Sequence, residues 1–270
     1  MKPIERPFTG LFLCALFCSL GSGCVVGVVD LDGDDGPWDK EASEVSIRTL
    51  PVTTQLGIRF FAINGEVAVV GEAGAQEVTI RATKRVLSHS LADAEDHLSD
   101  IDVRVHSDRG EIRLETYLPD HTGNRGYTVD YEITVPEEFF VAGVNANGNL
   151  YVEGVRSCLN LDLGNGNVTL LRVEGSARVT LGNGNLTASV ILPPGEDIFF
   201  QVGNGSAVLT LQPDVSAELQ AHVGNGTIVV SGLTLVNPVS GSNSFWSLLG
   251  TGEGSVELTV GNGNIRVNGG

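Results

Sequence analysis

The side chains able to do chemistry are few and scattered. Residues 141–270 hold nine acidic groups, four arginines (Arg156, Arg172, Arg178, Arg266) and one histidine, His222, with no lysine. Cleaving a polysaccharide needs a base, or two carboxylates facing one bond with a partner held close. Arg156, Arg172 and Asp162 are the residues such an enzyme would have to use, and no constellation assembles around them. Glu196 and Asp197 follow Pro193-Pro194-Gly195 and are adjacent in sequence, so their carboxylates diverge and read as part of a turn. Asp162, Arg178, Glu218, Glu257 and His222 fall on outward strand positions and read as a solvated face. His89, His97, His106 and His121 lack the spacing of metal ligands, and His97 reads as an exposed helix residue. Asp30, Asp32, Asp34 and Glu41 occupy positions 1, 3, 5 and 12 of a calcium loop, but Asp35 stands where that loop requires glycine and Pro37 interrupts it. The expectation is a protein that is not an enzyme, with no cofactor and no metal site.

The cysteines carry more information. Lys2 and Arg6 precede a short apolar run, Leu11 to Leu20, followed by Gly21, Ser22, Gly23 and Cys24. Crossing a ~30 Å hydrocarbon layer takes about 20 apolar residues, so this run reads as the core of a removed secretory signal, residues 1–23. Leu20-Gly-Ser-Gly-Cys24 resembles the lipobox of bacterial lipoproteins, with its aliphatic residue one step farther from the cysteine than is usual there. That resemblance implies acylation of Cys24, attachment to a membrane through the lipid, and a place in the cell envelope. Without acylation, Cys24 would follow an ordinary signal peptide as a free or disulfide-bonded thiol. Loss of Cys14 and Cys18 with the signal leaves Cys24 and Cys158, too few for a disulfide framework, and Cys158 reads as a lone thiol at a strand start.

Charge narrows the partners. The formal net charge is −17, and removing Lys2, Arg6 and Glu5, net +1, takes it to −18. Such a surface repels phosphates and anionic headgroups, which excludes nucleic acid as the main partner and leaves membrane attachment to acyl chains. Residues 24–44, rich in Asp, Glu and Gly, read as an acidic tether. Thirty-five glycines against one methionine and three lysines argue against a helical bundle.

Beyond the tether, period-two alternation dominates. It is clear at Ile58, Phe60, Val67, Val69, Val78, Ile80, Ile112, Leu114, Tyr131 and Ile133. One segment departs from it: Ser90-Leu-Ala-Asp93 fits a capping box and predicts a single short helix over 91–99. The second half repeats a template of alternating apolar residues around Gly-Asn-Gly, at 159–170, 177–188, 198–209, 217–230 and 256–267. Its asparagines, Asn165, Asn183, Asn204, Asn225 and Asn262, are spaced 18, 21, 21 and 37, and Asn147 lies 18 before the first. The interval of 37 divides evenly if Gly241-Ser-Asn243-Ser is a degenerate copy. A period near 20 with two short strands per unit predicts a solenoid whose coils stack at ~4.8 Å, about 30 Å long for seven coils. Glycines would turn its corners and the asparagines Asn147, Asn165, Asn183, Asn204, Asn225 and Asn262 would stack as an amide ladder. The same Asn-Gly pairs also signal hairpins, so an antiparallel β-sandwich stays open beside the solenoid.

Asn64-Gly-Glu-Val-Ala-Val-Val-Gly71, Ile80-Arg-Ala-Thr-Lys-Arg85, Arg109-Gly-Glu-Ile-Arg-Leu-Glu115, Val129-Asp-Tyr-Glu-Ile-Thr-Val-Pro136 and the Asn-Gly coils from Asn147 onward together resemble the bacterial putative-adhesin domains of unknown function. Those domains often carry Asn-Gly-Asp-Ile, whereas this chain has Asn-Gly-Asn and lacks the aspartate, so no ion-binding role carries over. The resemblance implies an all-β fold, a right-handed parallel β-helix, over residues 45–270, with the repeat coils in 140–270 and no established catalytic residues. It makes a binding role toward an envelope protein or a glycan the leading expectation. A structural or stress-regulatory envelope module without an external ligand stands second, and a polysaccharide-active enzyme last.

Overall fold

The structure is a computed structural model that describes residues 24–28, 40–108 and 110–270. The signal segment and the Asp30 to Asp39 acidic run lie outside the described residues, as does Arg109.

The chain is all-β. Strand β1 (Cys24–Val28) runs antiparallel to β2 (Lys40–Pro51), with Cys24 opposite Ser46. Strands β3 (Gly57–Asn64), β4 (Val67–Glu72) and β5 (Glu77–Ser88) follow. Next come helix α1 (Leu91–Asp96), a 3-10 turn (Leu98–Asp100), β6 (Asp102–Ser107), β7 (Glu111–Tyr117) and β8 (Gly126–Pro136). The helix packs on β2 and β5. It is shorter than the expected 91–99: His97 ends it, half-buried with its Nδ1 2.7 Å from Asp93 O, and the chain tightens into the 3-10 turn. That turn brings Leu98 and Ile101 into the core beside Ala94.

The repeat region alternates between two strand sets. The first holds β9 (Phe140–Asn147), β11 (Leu159–Asn165), β13 (Ala177–Asn183) and β15 (Asp197–Asn204). Interleaved with it are β10 (Leu150–Glu153), β12 (Val168–Glu174), β14 (Leu186–Ile191) and β16 (Ala207–Leu211). Two long strands, β17 (Ala217–Ser231) and β20 (Gly254–Gly269), run through both sets, and β18 (Leu235–Ser240) and β19 (Ser244–Leu249) lie between them in sequence. The strands belong to one mixed sheet.

The Asn-Gly turns do not close hairpins. Strand β11 pairs in parallel with β9 and β13, and β12 pairs in parallel with β10 and β14, each in the register of one repeat. Among the described residues, antiparallel pairing is confined to β1, β2, β5 and β8, to β6 with β7, and to β17, β19 and β18. Local turn chemistry loses here because parallel stacking buries whole columns of inward residues. Leu161, Val179, Leu258 and Leu219 each have no exposed surface and Phe200 has 1%. At about 1.5–3 kcal/mol per buried aliphatic side chain, such columns outweigh a single turn preference.

Two features depart from a simple chain-ordered stack. Strands β3 and β4 join it, β3 beside β9 and β4 beside β10, so the stack includes a coil 83 residues upstream of Asn147. At the other end β20 lies between the coil of β15 and β16 and the coil formed by β17: Gln201 pairs with Thr259, and Thr259 with His222. The expected copy around Asn243 is not a coil. Residues 235–249 form an antiparallel hairpin that adds β19 to the free edge of β17, and Asn243 Nδ2 caps the carbonyls of Val223 (3.0 Å) and Gly224 (2.7 Å). The interval of 37 arises because the chain builds the last coil in space first, turns through the hairpin, and returns to fill the place beneath it.

Candidate functional site: the stacked corners and the outward face

The corners explain the Gly-Asn-Gly template. Asn147 Nδ2 donates to Asn64 Oδ1 (2.9 Å), Asn165 to Asn147 (2.9 Å) and Asn183 to Asn165 (2.8 Å). Asn204 then donates to Asn183, Asn262 to Asn204 and Asn225 to Asn262, each at 2.8 Å. The structure thus joins Asn147, Asn165, Asn183, Asn204, Asn262 and Asn225 in one line, in that spatial order, and adds Asn64 at its start. Asn64 carries the same signal as the others, an Asn-Gly pair between alternating apolar residues, but lies outside their regular spacing.

A second line runs two residues later. The Asn149 carboxamide oxygen accepts from the Asn167 backbone N–H (3.0 Å), Asn167 from Asn185 (3.0 Å) and Asn185 from Ser206 (3.1 Å). Ser206 Oγ accepts from Asn264 N (3.4 Å), and Asn264 Oδ1 from Thr227 N (3.1 Å). Within both lines each corner side chain is hydrogen-bonded to the corner of the adjoining coil, which ties the coils together along the edge. Between the two lines stands a glycine: at Gly166 and Gly184 φ is +136° and +139°. There a Cβ would lie 1.8 Å and 1.6 Å from the carbonyl oxygen of the coil below.

With corners and interior fixed, variation is left to the outward positions. One column runs Arg113, Arg59, Ala142, Asn160, Arg178, Phe199, Glu257, Gln220, Trp246. Its neighbour runs Glu115, Phe61, Val144, Asp162, Thr180, Gln201, Thr259, His222, Ser244. Asp162, Arg178, Glu257 and His222 are exposed and Glu218 is half-buried. Arg178 lies over the Phe199 ring at 4.4 Å.

Arg156, Arg172 and Asp162 do not meet. Arg156 pairs with Glu174 (2.9 Å) and Glu137 (3.7 Å), Arg172 pairs with Glu153, and Asp162 stands on β11. Ser176 binds the Glu196 carboxylate, and Ser255 Oγ donates to Asp197 Oδ1 at 2.6 Å, so these two carboxylates brace separate contacts between coils. Cys158 is exposed and unbonded just before β11. Among the described residues no three His, Cys, Asp or Glu side chains gather as a metal-ligand set, and no helix is long and apolar enough to cross a membrane.

A two-point ionic pair serves the fold. Arg125 clasps Asp93 with Nε to Oδ2 at 2.6 Å and a second nitrogen to Oδ1 at 2.7 Å, while Ser88 donates to the same carboxylate. Asp93 N donates to Ser90 Oγ at 3.2 Å, the helix cap, so this one residue ties α1 to β5 and to the loop before β8. The Arg125 guanidinium and the Ser88 hydroxyl hold the Asp93 carboxyl well below the usual carboxylate range. A depressed folded-state value means the contribution is complete above the unfolded pKa, near 4, and is lost as pH falls through the folded value. Urea midpoints of wild type and Asp93→Asn should therefore differ by a constant amount from pH 8 to about pH 4, with wild type more stable, and converge below that.

No family model and no curated protein matches the chain. Among solved structures, a chain described as a "putative cell adhesion protein" from Clostridium sporogenes is similar at 12% identity, covering 84% of this chain and 100% of that one with a TM-score of 0.48. A "putative adhesin" from Bacteroides fragilis matches at 12% identity over 83% of this chain and 96% of its own, with a TM-score of 0.31. A chain described as a "putative lipid binding protein" from Parabacteroides distasonis matches at 11% identity over 83% and 96%, with a TM-score of 0.27. All three are bacterial proteins described as a "putative" adhesion or lipid-binding protein, each at 12% identity or less.

Proposed function

We propose that this protein is an exported, non-catalytic binding protein of the cell envelope, held by a lipid on Cys24, whose coils wind as a parallel β-solenoid. The observation that carries the reading is the division of labour within each coil. From β11 onward the inward positions are apolar and the corners are Gly and Asn or their hydroxyl substitutes, while the outward columns change from coil to coil. A scaffold that spends its regularity on corners and core and varies only its outer face is suited to displaying side chains to an extended partner. Repeat proteins bind through faces of this kind without an enclosed active site.

The placement of the ends agrees with a display role. Cys24 pairs at the edge formed by β1 and β2, and the β18–β19 hairpin closes the opposite end. Counting β1, β2, β5, β8, β4, β10, β12, β14, β16, β20 and β17 across the sheet gives a span of about 48 Å at ~4.8 Å per step. A lipid at the first strand would direct the last toward whatever lies beyond the membrane.

Three measurements test this. Mass spectrometry of protein taken from bacterial membranes is expected to find a mature chain beginning at Cys24 with added diacylglyceryl mass, and Cys24→Ala is expected to move the protein to the soluble fraction. The mature protein should also bind intact envelope preparations saturably. A soluble wild-type protein would end the anchoring part, and absence of saturable binding would end the display part.

A further inference from the structure

The outward face is not uniform along its length, and its most developed feature lies where β20, β17 and β19 meet. There Trp246, Gln220, His222, Glu257, Thr259 and Ser244 line a shallow cavity of about 270 Å³. The two β20 residues reach it only because that strand is inserted beneath β17, which sets Glu257 beside Gln220 and Thr259 beside His222.

Trp246 is held for use. Its Nε1 donates to Glu218 Oε1 at 2.6 Å, and Gln220 Nε2 donates to the same oxygen at 2.8 Å. These two donors keep the Glu218 carboxyl below its ordinary range, so the anchor stays ionised at neutral pH. The indole is fixed by its polar edge and half-buried, and the orientation of Gln220 is set, which turns its carboxamide oxygen away from Glu218. Phe199, three places along the same column, contrasts with it: its ring is already covered by Arg178 at 4.4 Å.

The polar groups around the indole define the ligand by chemistry. A carboxylate, an imidazole, a carboxamide and two hydroxyls offer hydrogen bonds, and neither Lys nor Arg lines the cavity. An anionic ligand would face Glu257 and a net charge of −17 without a cation to meet it. A ligand with one apolar face and many hydroxyl groups suits this lining, since its C–H face meets the indole and the apolar surface of Val239 and Phe245 while its hydroxyls reach the polar groups. We propose that this groove binds a neutral hexose unit of an envelope or extracellular polysaccharide, with Trp246 as the stacking platform. The proposal rests on the display reading and names its ligand class.

The test uses the mature chain on an array of neutral hexose oligosaccharides (maltohexaose, cellohexaose, mannohexaose) with polygalacturonate as the anionic counterpart. Binding is read by calorimetry and by indole fluorescence. At least one neutral oligosaccharide is expected to bind, with affinity reduced tenfold or more in Trp246→Ala and several-fold in Glu257→Gln. It should be largely kept in Trp246→Phe, which retains a ring, and in Phe199→Ala. No binding on the array, binding of polygalacturonate alone, or unchanged affinity in Trp246→Ala and Glu257→Gln would each overturn the proposal. Envelope binding by the same variants separates the two levels: saturable binding that survives Trp246→Ala leaves the display reading standing without this groove, whereas its absence from wild type removes the reading itself.

Discussion

Gly184→Ala is expected to destabilise the protein by about 3 kcal/mol or more, lowering the midpoint of thermal unfolding by roughly 6–12 °C. Two costs combine. At φ +139° the backbone lies in a region that side-chain-bearing residues rarely enter. The added Cβ would also fall 1.6 Å from the Gly166 carbonyl oxygen, which is backbone and cannot swing aside. Relief requires coils to separate at the corner, stretching the neighbouring bonds from Asn183 to Asn165 and from Asn185 to Asn167. Gly74→Ala is the matching control, since φ there is +71° and nothing lies within 4 Å, so about 1 kcal/mol is expected. Calorimetry of the two variants checks this, and equal losses would mean the corner is not closely stacked.

Removing residues 254–270 is expected to detach the β17 coil and its hairpin while leaving the earlier coils folded. Strand β20 contributes Val256, Leu258, Val260, Ile265 and Val267, each at most 1% exposed. At about 1.5–3 kcal/mol per side chain this amounts to roughly 7–15 kcal/mol, on the scale of a whole domain's stability. A stack coupled through nearest neighbours loses what lies beyond the gap and keeps what lies before it. Hydrogen exchange of the truncated chain should show protection lost over 217–249 and retained over β9 to β14. Retained protection at 217–231 would mean that β17 stacks directly on β15 and β16.

Much of this architecture was legible from residue order, and the reasons are local. Alternating apolar residues flanking Asn-Gly mark strand, corner and strand, and the regular interval points to stacked copies while leaving hairpins open, a choice that the parallel pairing of β9, β11 and β13 decides. What escaped was long-range. Nothing near Asn64 says that its coil continues the line begun at Asn147, because β5 to β8 intervene in the chain and not in the stack. The insertion of β20 beneath β17 was equally hidden: the interval of 37 between Asn225 and Asn262 is as compatible with a worn copy as with a hairpin, and Asn243 makes the worn copy plausible. The same gap hid the groove. Glu257 and Thr259 are far in sequence from Gln220 and His222, so reading outward parity placed Glu257 and His222 on a solvated face without showing that they adjoin Trp246, and it did not single out Gln220 or Thr259. His97 differed for a smaller reason, since its ring folds back on the Asp93 carbonyl where the helix ends instead of extending into solvent.

The order of the coils is the claim on which the ladder, the outward columns and the groove all depend, and paired cysteines measure it most directly. In a Cys158→Ser background, Gln201→Cys with Thr259→Cys places two outward side chains on adjacent parallel strands, about 4.8 Å apart and within disulfide range. Thr259→Cys with His222→Cys does the same on the other side of β20. Gln201→Cys with His222→Cys leaves a strand between them, about 9.6 Å, which is too far to bridge. The first two pairs are expected to oxidise readily and the third to remain reduced. A disulfide between positions 201 and 222, with none from 259 to either, would mean the coils stack in chain order and would contradict the account.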